Sequence, residues 1–166
     1  MTEMLPSTLR PVAPAIRLLP LRALEAELMA MPPAAAMGLR IVEASGERLR
    51  LHAPLAANLN DKGCAFGGSL TSLMTLAGWC LITLRLAEAG LDADVFVADS
   101  EIRYRAPLYA DLEATAQLVD GESWEVFVDT LRSRGRARLA VSAAVALPEG
   151  GVATECRSRY AAKLRA

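Results

Sequence analysis

The stretch that most constrains the fold is residues 63–84, where no side chain carries a charge and where Gly67-Gly68 lie near the start. Adjacent glycines weaken a helix interior and let a backbone come close to another chain or to a ligand. A helix is therefore predicted to start at this pair, with Ser69 as the N-cap candidate and Gly90 as the C-terminal stop. At about 20 residues, it would be roughly 30 Å long.

An uncharged run of this kind forms either a membrane span or the core helix of a globular protein. Because the helix starts at the glycine pair, only about 16 uncharged helical residues remain, fewer than the roughly 20 that cross a bilayer. The segments on either side alternate polar and apolar residues, as soluble strands do. A helix that is apolar on nearly all sides is then a core helix, and no membrane span is predicted. Hydroxyl side chains dilute the run further, among them those of Ser69, Thr71, Ser72 and Thr75.

Composition narrows the class of protein. A chain of 166 residues suits one domain, and its net charge of −1 provides no general attraction for nucleic acid or an acidic membrane. The three cysteines are odd in number and widely spaced, and the only histidine, His52, has no second histidine with which to share a metal. Since no basic and apolar leader follows Met1, a reduced cytoplasmic protein is expected.

The N-terminal part is predicted to contain an irregular arm and a short helix. Residues 1–19 are rich in proline, and Leu21, Leu24 and Leu28 then recur at helical spacing until Pro32-Pro33. Alternating residues predict two strands at residues 37–41 and 48–53, which are joined by a turn at residues 45–46. We therefore divide the chain into an arm with a short helix, residues 1–34, and a single domain, residues 35–166.

After the long helix the apolar spacing changes from helical to alternating. Strands are predicted at residues 96–106, 112–118, 124–130 and 139–147, with Asp120-Gly121 and Gly135 as turns. For residues 152–166 the pattern fits either a strand or a helix. The expected order is thus two strands, one long helix and at least three strands in a meander.

The expected fold class is α+β, with a curved antiparallel sheet wrapped around the long helix. Alanines recur on the inward faces of the strands, which allows the helix to lie close to the sheet. One curved sheet leaves half of that helix uncovered. A second copy would cover it, so a homodimer, or a dimer of dimers, is expected.

The order of elements and the junction Asn-x-x-Gly-x-x-Phe-Gly-Gly at residues 60–68 resemble the hotdog fold of acyl-CoA thioesterases. In those relatives, a His-Gly-Gly sequence stands where Phe66-Gly67-Gly68 stands, and an asparagine lies six residues before it, as Asn60 does. Residues 101–107 also resemble the strand that follows the helix in that family. Together with Trp79 on the helix, the junction is most similar to the YiiD C-terminal type of thioesterase domain.

This resemblance implies hydrolysis of acyl thioesters, and the chemistry suits the junction. The backbone amides at the start of a helix lack intrahelical partners and form the positive end of the helix dipole. Those of Gly67, Gly68 and Ser69 would polarise a thioester carbonyl and stabilise the oxyanion. Substrate-binding positions are expected at Gly63, Phe66, Gly67, Ser69 and Tyr104.

This chain departs from the family pattern in the position of the carboxylate that must activate water. In many relatives it lies on the helix, where this chain has Thr75, and the family histidine is replaced by Phe66. Asp61, the only carboxylate between Glu47 and Glu88, is the proposed substitute as base or nucleophile. It serves equally well in an Asx turn that shapes the loop. Asn60 would orient water or the carbonyl, with Thr75 as a weaker candidate for that role.

Other readings stay open. Without the family histidine and helix carboxylate, the chain is alternatively a non-catalytic module that binds acyl-CoA. A hydratase would need a histidine beside a carboxylate, whereas His52 is expected at the surface of its strand. Cys64 is a further candidate nucleophile. No metal or cofactor is expected beyond coenzyme A as part of the substrate. A series of arginines at a predicted hairpin tip would bind the phosphates of coenzyme A; the alternative is that these side chains are simply exposed to solvent. The series is Arg132, Arg134, Arg136 and Arg138.

Overall fold

A computed structural model describes the backbone of residues 15–166 and the side chains of residues 20–166. One curved sheet of six antiparallel strands, in the order β1-β2-β4-β5-β6-β3, wraps a long central helix, α3. The predicted α+β hotdog architecture is therefore confirmed. The helices are Ala15–Ala30 (α1), Pro32–Ala36 (α2), Gly67–Glu88 (α3) and Trp124–Arg134 (α4), and the strands are Arg40–Ala44 (β1), Arg48–Ala53 (β2), Ala93–Tyr104 (β3), Leu112–Leu118 (β4), Arg136–Ala146 (β5) and Val152–Leu164 (β6).

The central helix α3 occupies the uncharged stretch, as predicted. Eleven of its 22 residues are buried, which identifies it as the core helix of the domain. Among the described helices, α3 alone has the length and composition of a membrane span, but it lies within the wrapped sheet. The prediction of Ser69 as its N-cap is wrong, because Phe66 is the N-cap. Gly90 follows its C-cap at φ 69°, as predicted.

The N-terminal helix α1 is longer than the sequence indicates. Leu24 and Leu28 are buried, which confirms the amphipathic helix, but α1 already begins at Ala15. The last five residues of the predicted irregular arm, 15–19, are thus helical, and residues 1–14 lie outside the described part. Pro32 and Pro33 start the short helix α2. Because α1 packs against α3, it covers part of the helix surface that was expected to be left for a second copy.

The predicted strand at residues 124–130 is wrong, because this segment is the helix α4. Ser123 caps it by accepting a hydrogen bond from the amide of Val126, and Gly135 ends it at φ 68°. Trp124, Phe127 and Leu131 are buried at helical spacing, whereas Val126 is 67% exposed. The alternation that suggested a strand was therefore a coincidence of apolar residues on two sides of a helix.

The strands after α3 do not form a simple meander. β3 pairs with β6 and not with its sequence neighbour β4, so β3 lies at the edge of the sheet. Only β4, β5 and β6 follow one another as neighbours. The segment 152–166, for which a strand and a helix were both considered, contains the strand β6. The predicted hairpin tip of arginines is also wrong, since Arg132 and Arg134 end α4 while Arg136 and Arg138 begin β5.

Tyr160 of β6 packs closely against α3 at Gly78. The Tyr160 hydroxyl donates to the carbonyl oxygen of Thr75 at 2.8 Å, and burial raises the pKa of this phenol, so it stays a donor. A Cβ atom at position 78 would lie 2.3 Å from the Tyr160 oxygen. Glycine is thus required here for packing, although it is a poor helix former.

We predict that Gly78→Ala destabilises the protein by about 1–3 kcal/mol, the usual cost of overpacking a core. This cost exceeds the gain of about 1 kcal/mol in helix propensity. Chemical denaturation measures the free energy of unfolding. In a Tyr160→Phe background the penalty of the same substitution should shrink, because the nearest oxygen is gone. A stabilised Gly78→Ala protein would contradict the close packing.

Candidate functional site

The N-terminus of α3 is not capped by any side chain. Phe66, the N-cap residue, has extended backbone angles (φ −66°, ψ 129°), and its own amide donates to the carbonyl of Asn58 at 2.7 Å. The amides of Gly67, Gly68 and Ser69 have no acceptor within the described part of the chain. Free N–H groups at the positive end of a 22-residue helix attract a partial or full negative charge.

Two aromatic rings flank these amides. A Cβ at Gly67 would lie 3.4 Å from the Tyr104 ring, and a Cβ at Gly68 would lie 2.4 Å from the Phe66 ring. Both rings are largely accessible, with Phe66 54% and Tyr104 58% exposed. Gly67 therefore contacts Tyr104 across the strand–helix boundary, and Gly68 leaves the space that the Phe66 ring occupies. We refer to the surface between these two rings as the slot.

Tyr104 is held in place by the first turn of α3. Its hydroxyl lies 3.2 Å from the carbonyl oxygen of Gly67, to which it donates, and 2.6 Å from Thr71 Oγ1. These bonds join the C-terminal end of β3 to the start of α3. Thr71 was not among the residues selected from the sequence, although its position one turn after Gly67 places it on the same side of the helix.

The loop before α3 is a compact turn built on Asn60. Its side-chain oxygen accepts from the amides of Lys62 at 2.8 Å and Cys64 at 3.1 Å, and its side-chain nitrogen contacts Cys64 Sγ at 3.1 Å. Gly63 adopts φ 77°, which this turn requires and which glycine tolerates best. The Asn60 amide thus holds the loop together, and Cys64 is buried within it.

Asp61 lies at the surface of this turn. Its side chain is 78% exposed, and its carboxylate pairs with the Lys62 ammonium at 2.8 Å. The structure records no contact between this carboxylate and the amides at the start of α3. Thr75 lies two turns into the helix, where its carbonyl accepts from Tyr160. The structure therefore brings together Phe66, Gly67, Gly68, Ser69 and Tyr104, while Asn60, Asp61 and Gly63 form the adjoining turn.

His52 is buried, contrary to the expectation that it lies at the surface. It is on the polar face of β2 as predicted, but only 8% exposed, because Arg40 and Asp111 cover its ring. The Leu55 amide, followed by the His52 ring, holds the pKa of the Asp111 carboxyl below its usual range. The residues next to His52 in the sequence do not indicate this burial, because the residues that cover its ring are distant in the sequence.

A surface cavity of about 510 Å³ lies away from the start of α3. It opens on the outer face of the sheet, where Arg48, Arg103 and Arg157 surround small residues such as Ser142 and Ala144. None of the predicted site residues lines it. At the start of α3, Gly67 and Gly68 are half-buried and Ser69 is buried.

Comparison with known proteins gives one family and several similar folds. The family model described as "Putative thioesterase (yiiD_Cterm)" matches residues 22–163. A protein of unknown function from Chlorobaculum tepidum is 29% identical, with a TM-score of 0.81, and the match covers 87% of this chain and 94% of that one.

Two further solved structures share the fold. A "putative thioesterase" from Shewanella oneidensis is 24% identical with a TM-score of 0.77, over 89% of this chain and 99% of that one. A protein from Pseudomonas aeruginosa, named as of unknown function and a "probable thioesterase", is 21% identical with a TM-score of 0.74, over 87% and 96%.

We predict different outcomes for alanine at the two glycines. Gly68→Ala should displace the Phe66 ring, because the new Cβ would lie 2.4 Å from it, whereas Gly67→Ala should leave Tyr104 in place. The melting temperature should change little in both variants, since the exposed Phe66 ring is free to rotate. Crystal structures or ring-to-backbone NOEs report the ring positions. An unmoved Phe66 ring in Gly68→Ala would refute the arrangement.

Proposed function

This chain belongs to the YiiD C-terminal-type thioesterase family, and from that membership we propose that it hydrolyses acyl thioesters at the start of α3. The observation that carries the proposal is that the amides of Gly67, Gly68 and Ser69 have no acceptor within the described part of the chain and lie beside two exposed aromatic rings. A thioester carbonyl bound there would meet helix-start amides that attract negative charge. Acyl-CoA, or an acyl group on a carrier, is the proposed substrate class.

In the proposed reaction the amides bind the thioester carbonyl oxygen. Attack by water on the carbonyl carbon forms a tetrahedral intermediate whose oxygen carries the negative charge. Asp61, as the base, takes the proton that water loses on attack; the carbon–sulfur bond then breaks, and the leaving thiolate takes up that proton, so that a carboxylic acid and a thiol are formed. Amide donors stabilise this oxyanion more than the ground-state carbonyl, and loss of one such donor typically costs about 10²–10³-fold in rate. No metal or redox group enters this scheme; coenzyme A enters only as part of the substrate.

Asp61 is our proposed base or nucleophile. It is the only carboxylate between Glu47 and Glu88, and it belongs to the turn that leads into α3. Its ion pair with Lys62 is exposed, so little free energy is needed to release the carboxylate when a substrate binds. In this scheme Asn60, whose side chain also closes the turn, orients water or the carbonyl, with Thr75 as a weaker candidate for that role.

We predict that Asp61→Asn lowers kcat by about 10²–10⁴-fold, the usual contribution of a general base. The melting temperature should stay within a few degrees, because the side chain is 78% exposed. A thiol-release assay with a panel of acyl-CoAs measures turnover. Lys62→Gln is the matched control, since it breaks the same ion pair but keeps the carboxylate, and its kcat should stay within a few fold. Undiminished hydrolysis by Asp61→Asn would remove Asp61 from the mechanism.

The second candidate is a non-catalytic module that binds acyl-CoA. One observation favours it: the Asp61 carboxylate contacts Lys62, and the structure shows no contact between it and the amides. In that case the start of α3 would bind a thioester carbonyl without a partner that activates water. The same panel separates the two functions, because tight binding without any thiol release selects the module.

We also propose that the protein is a homodimer that closes this site. β3 is a 12-residue edge strand whose outer side pairs with no strand among residues 15–166, and long free edges invite pairing with another chain. Phe96 and Val97 are exposed apolar residues on this strand, and Tyr104 of the site lies at its end. A second copy paired along β3 would therefore lie beside the slot and shield it from water.

Charge on the edge strand should weaken this dimer. Phe96→Arg is predicted to raise the dimer dissociation constant by at least about 10-fold, because two buried charges would face each other across a two-fold axis. Val126→Arg is the control, since Val126 is similarly exposed but lies on α4. Analytical ultracentrifugation measures both. A wild-type monomer at micromolar concentration, or an unaffected Phe96→Arg dimer, would contradict the proposal.

The proposed location is the cytoplasm. Cys64, Cys80 and Cys156 are all buried as free thiols, which suits a reducing compartment.

A further inference from the structure

A chain of hydrogen bonds runs from β1 of the sheet to the loop before α3. Arg40 Nε on β1 donates to His52 Nδ1 at 3.2 Å, and His52 Nε2 lies 3.1 Å from Asp111 Oδ2. The other oxygen of Asp111 accepts from the Leu55 amide at 2.9 Å. Three separate segments, β1, β2 and the connection before β4, therefore meet at the first residue of the 3-10 turn Leu55–Ala57.

These partners determine the tautomer of His52. Arginine Nε always carries a hydrogen, so Nδ1 of His52 must be the acceptor in the Arg40 bond. The ring proton of neutral His52 then resides on Nε2, from which it donates to Asp111. Asp111 is consequently fixed at both oxygens, one by a side chain of the sheet and one by the backbone of the loop. An exposed carboxylate with two directed bonds has a single preferred orientation.

From Leu55 the constraint continues to the N-cap of α3. The Asn58 amide donates to Leu55 O at 2.8 Å, and the buried Asn58 side chain donates to the carbonyls of Pro54 at 2.8 Å and Met37 at 2.9 Å. The carbonyl of Asn58 accepts from the Phe66 amide at 2.7 Å. Phe66 is the residue immediately before the free amides, so the direction of those amides depends on this chain.

We infer that His52 and Asp111 are positioning residues for the amides of Gly67, Gly68 and Ser69. They touch neither the substrate nor the reacting atoms; they fix Leu55, and through Asn58 they fix the Phe66 backbone. This inference rests on the proposed thioester hydrolysis for its effect on rate. Its structural part, that the two side chains order the loop at residues 55–66, stands independently of any activity.

The role has a distinct kinetic signature. Oxyanion donors act on the transition state, so their misplacement lowers kcat and leaves KM nearly unchanged. A displacement of about 1 Å in such a site costs up to about 10²-fold in rate. A residue that merely stabilises the fold would lower the melting temperature without this division between kcat and KM.

The test compares variants that keep or break the bond to Asp111. His52→Leu removes it, whereas His52→Gln keeps an N–H group that reaches the same carboxylate. Asp111→Asn keeps the volume of the side chain but replaces one of its two acceptor oxygens by a donor, so that either the His52 ring proton or the Leu55 amide loses its acceptor. Glu113→Gln is the matched control, because Glu113 lies directly across from His52 in the sheet and pairs with Arg50, away from the loop.

Amide hydrogen exchange of residues 55–66 and steady-state kinetics are the two measurements. We expect the Leu55 and Phe66 amides to exchange at least about 10-fold faster in His52→Leu and Asp111→Asn, since their acceptors become mobile. In the same two variants kcat should fall about 10-fold, with KM within about twofold. His52→Gln should restore most of both properties, and Glu113→Gln should match the wild type.

Wild-type exchange rates in His52→Leu and Asp111→Asn would overturn the inference, whatever their turnover. Faster exchange with an unchanged kcat would also overturn it, because the loop would then not position the amides. A wild-type protein that hydrolyses no thioester would refute the proposed function alone. The exchange measurement would still decide whether His52 and Asp111 order the loop.

Discussion

The burial of α3 inside the curved sheet is the constraint on which the rest of the structure depends. Eleven of its residues are buried, and Gly78 allows the Tyr160 hydroxyl to approach the helix backbone. The helix is thus fixed along its length, while Gly67 and Gly68 at its start are only half-buried. A rigid helix with an uncapped start holds its free amides in a fixed direction, which is the property that charge stabilisation requires. The active-site proposal follows from this combination of a buried body and an open end.

The end of β3 and the connection from β3 to β4 hold the start of α3 at three points. Tyr104 donates to the Gly67 carbonyl, the carbonyl of Leu108 accepts from the Ala65 amide, and Asp111 accepts from the Leu55 amide. One short segment therefore touches the loop before the helix, the residue beside its N-cap and its first turn. A loop that carries function usually needs such support, because loops are otherwise the most mobile parts of a domain. The stability of this segment and the geometry of the amides are thus linked.

Much of the fold was predictable because it is encoded locally. The glycine pair and the uncharged run predicted α3, and alternation predicted β1, β2, β3, β4 and β5 with boundaries shifted by a few residues. The helix α4 was missed because an apparent alternation outweighed its caps at Ser123 and Gly135. The pairing of β3 with β6 was not predictable from periodicity, since strand order is a non-local property.

The same distinction applies to the site. Phe66, Gly67 and Gly68 were predicted from a contiguous motif, and they do lie together at the start of α3. The sequence did not reveal that Tyr104 is held by Thr71, nor that His52 is covered by Asp111, because these partners are separated by 33 and 59 residues. Contacts between distant side chains arise only from the complete fold.

The central claim is that the free amides at the start of α3 bind a thioester carbonyl. The most direct measurement is an amide NMR titration with an acyl-CoA analogue in which a methylene replaces the sulfur, so that the carbonyl remains but cannot be hydrolysed. We predict that the proton resonances of Gly67, Gly68 and Ser69 move downfield together as the analogue binds. Binding that leaves these three resonances unchanged, with shifts confined to other surfaces, would contradict the claim.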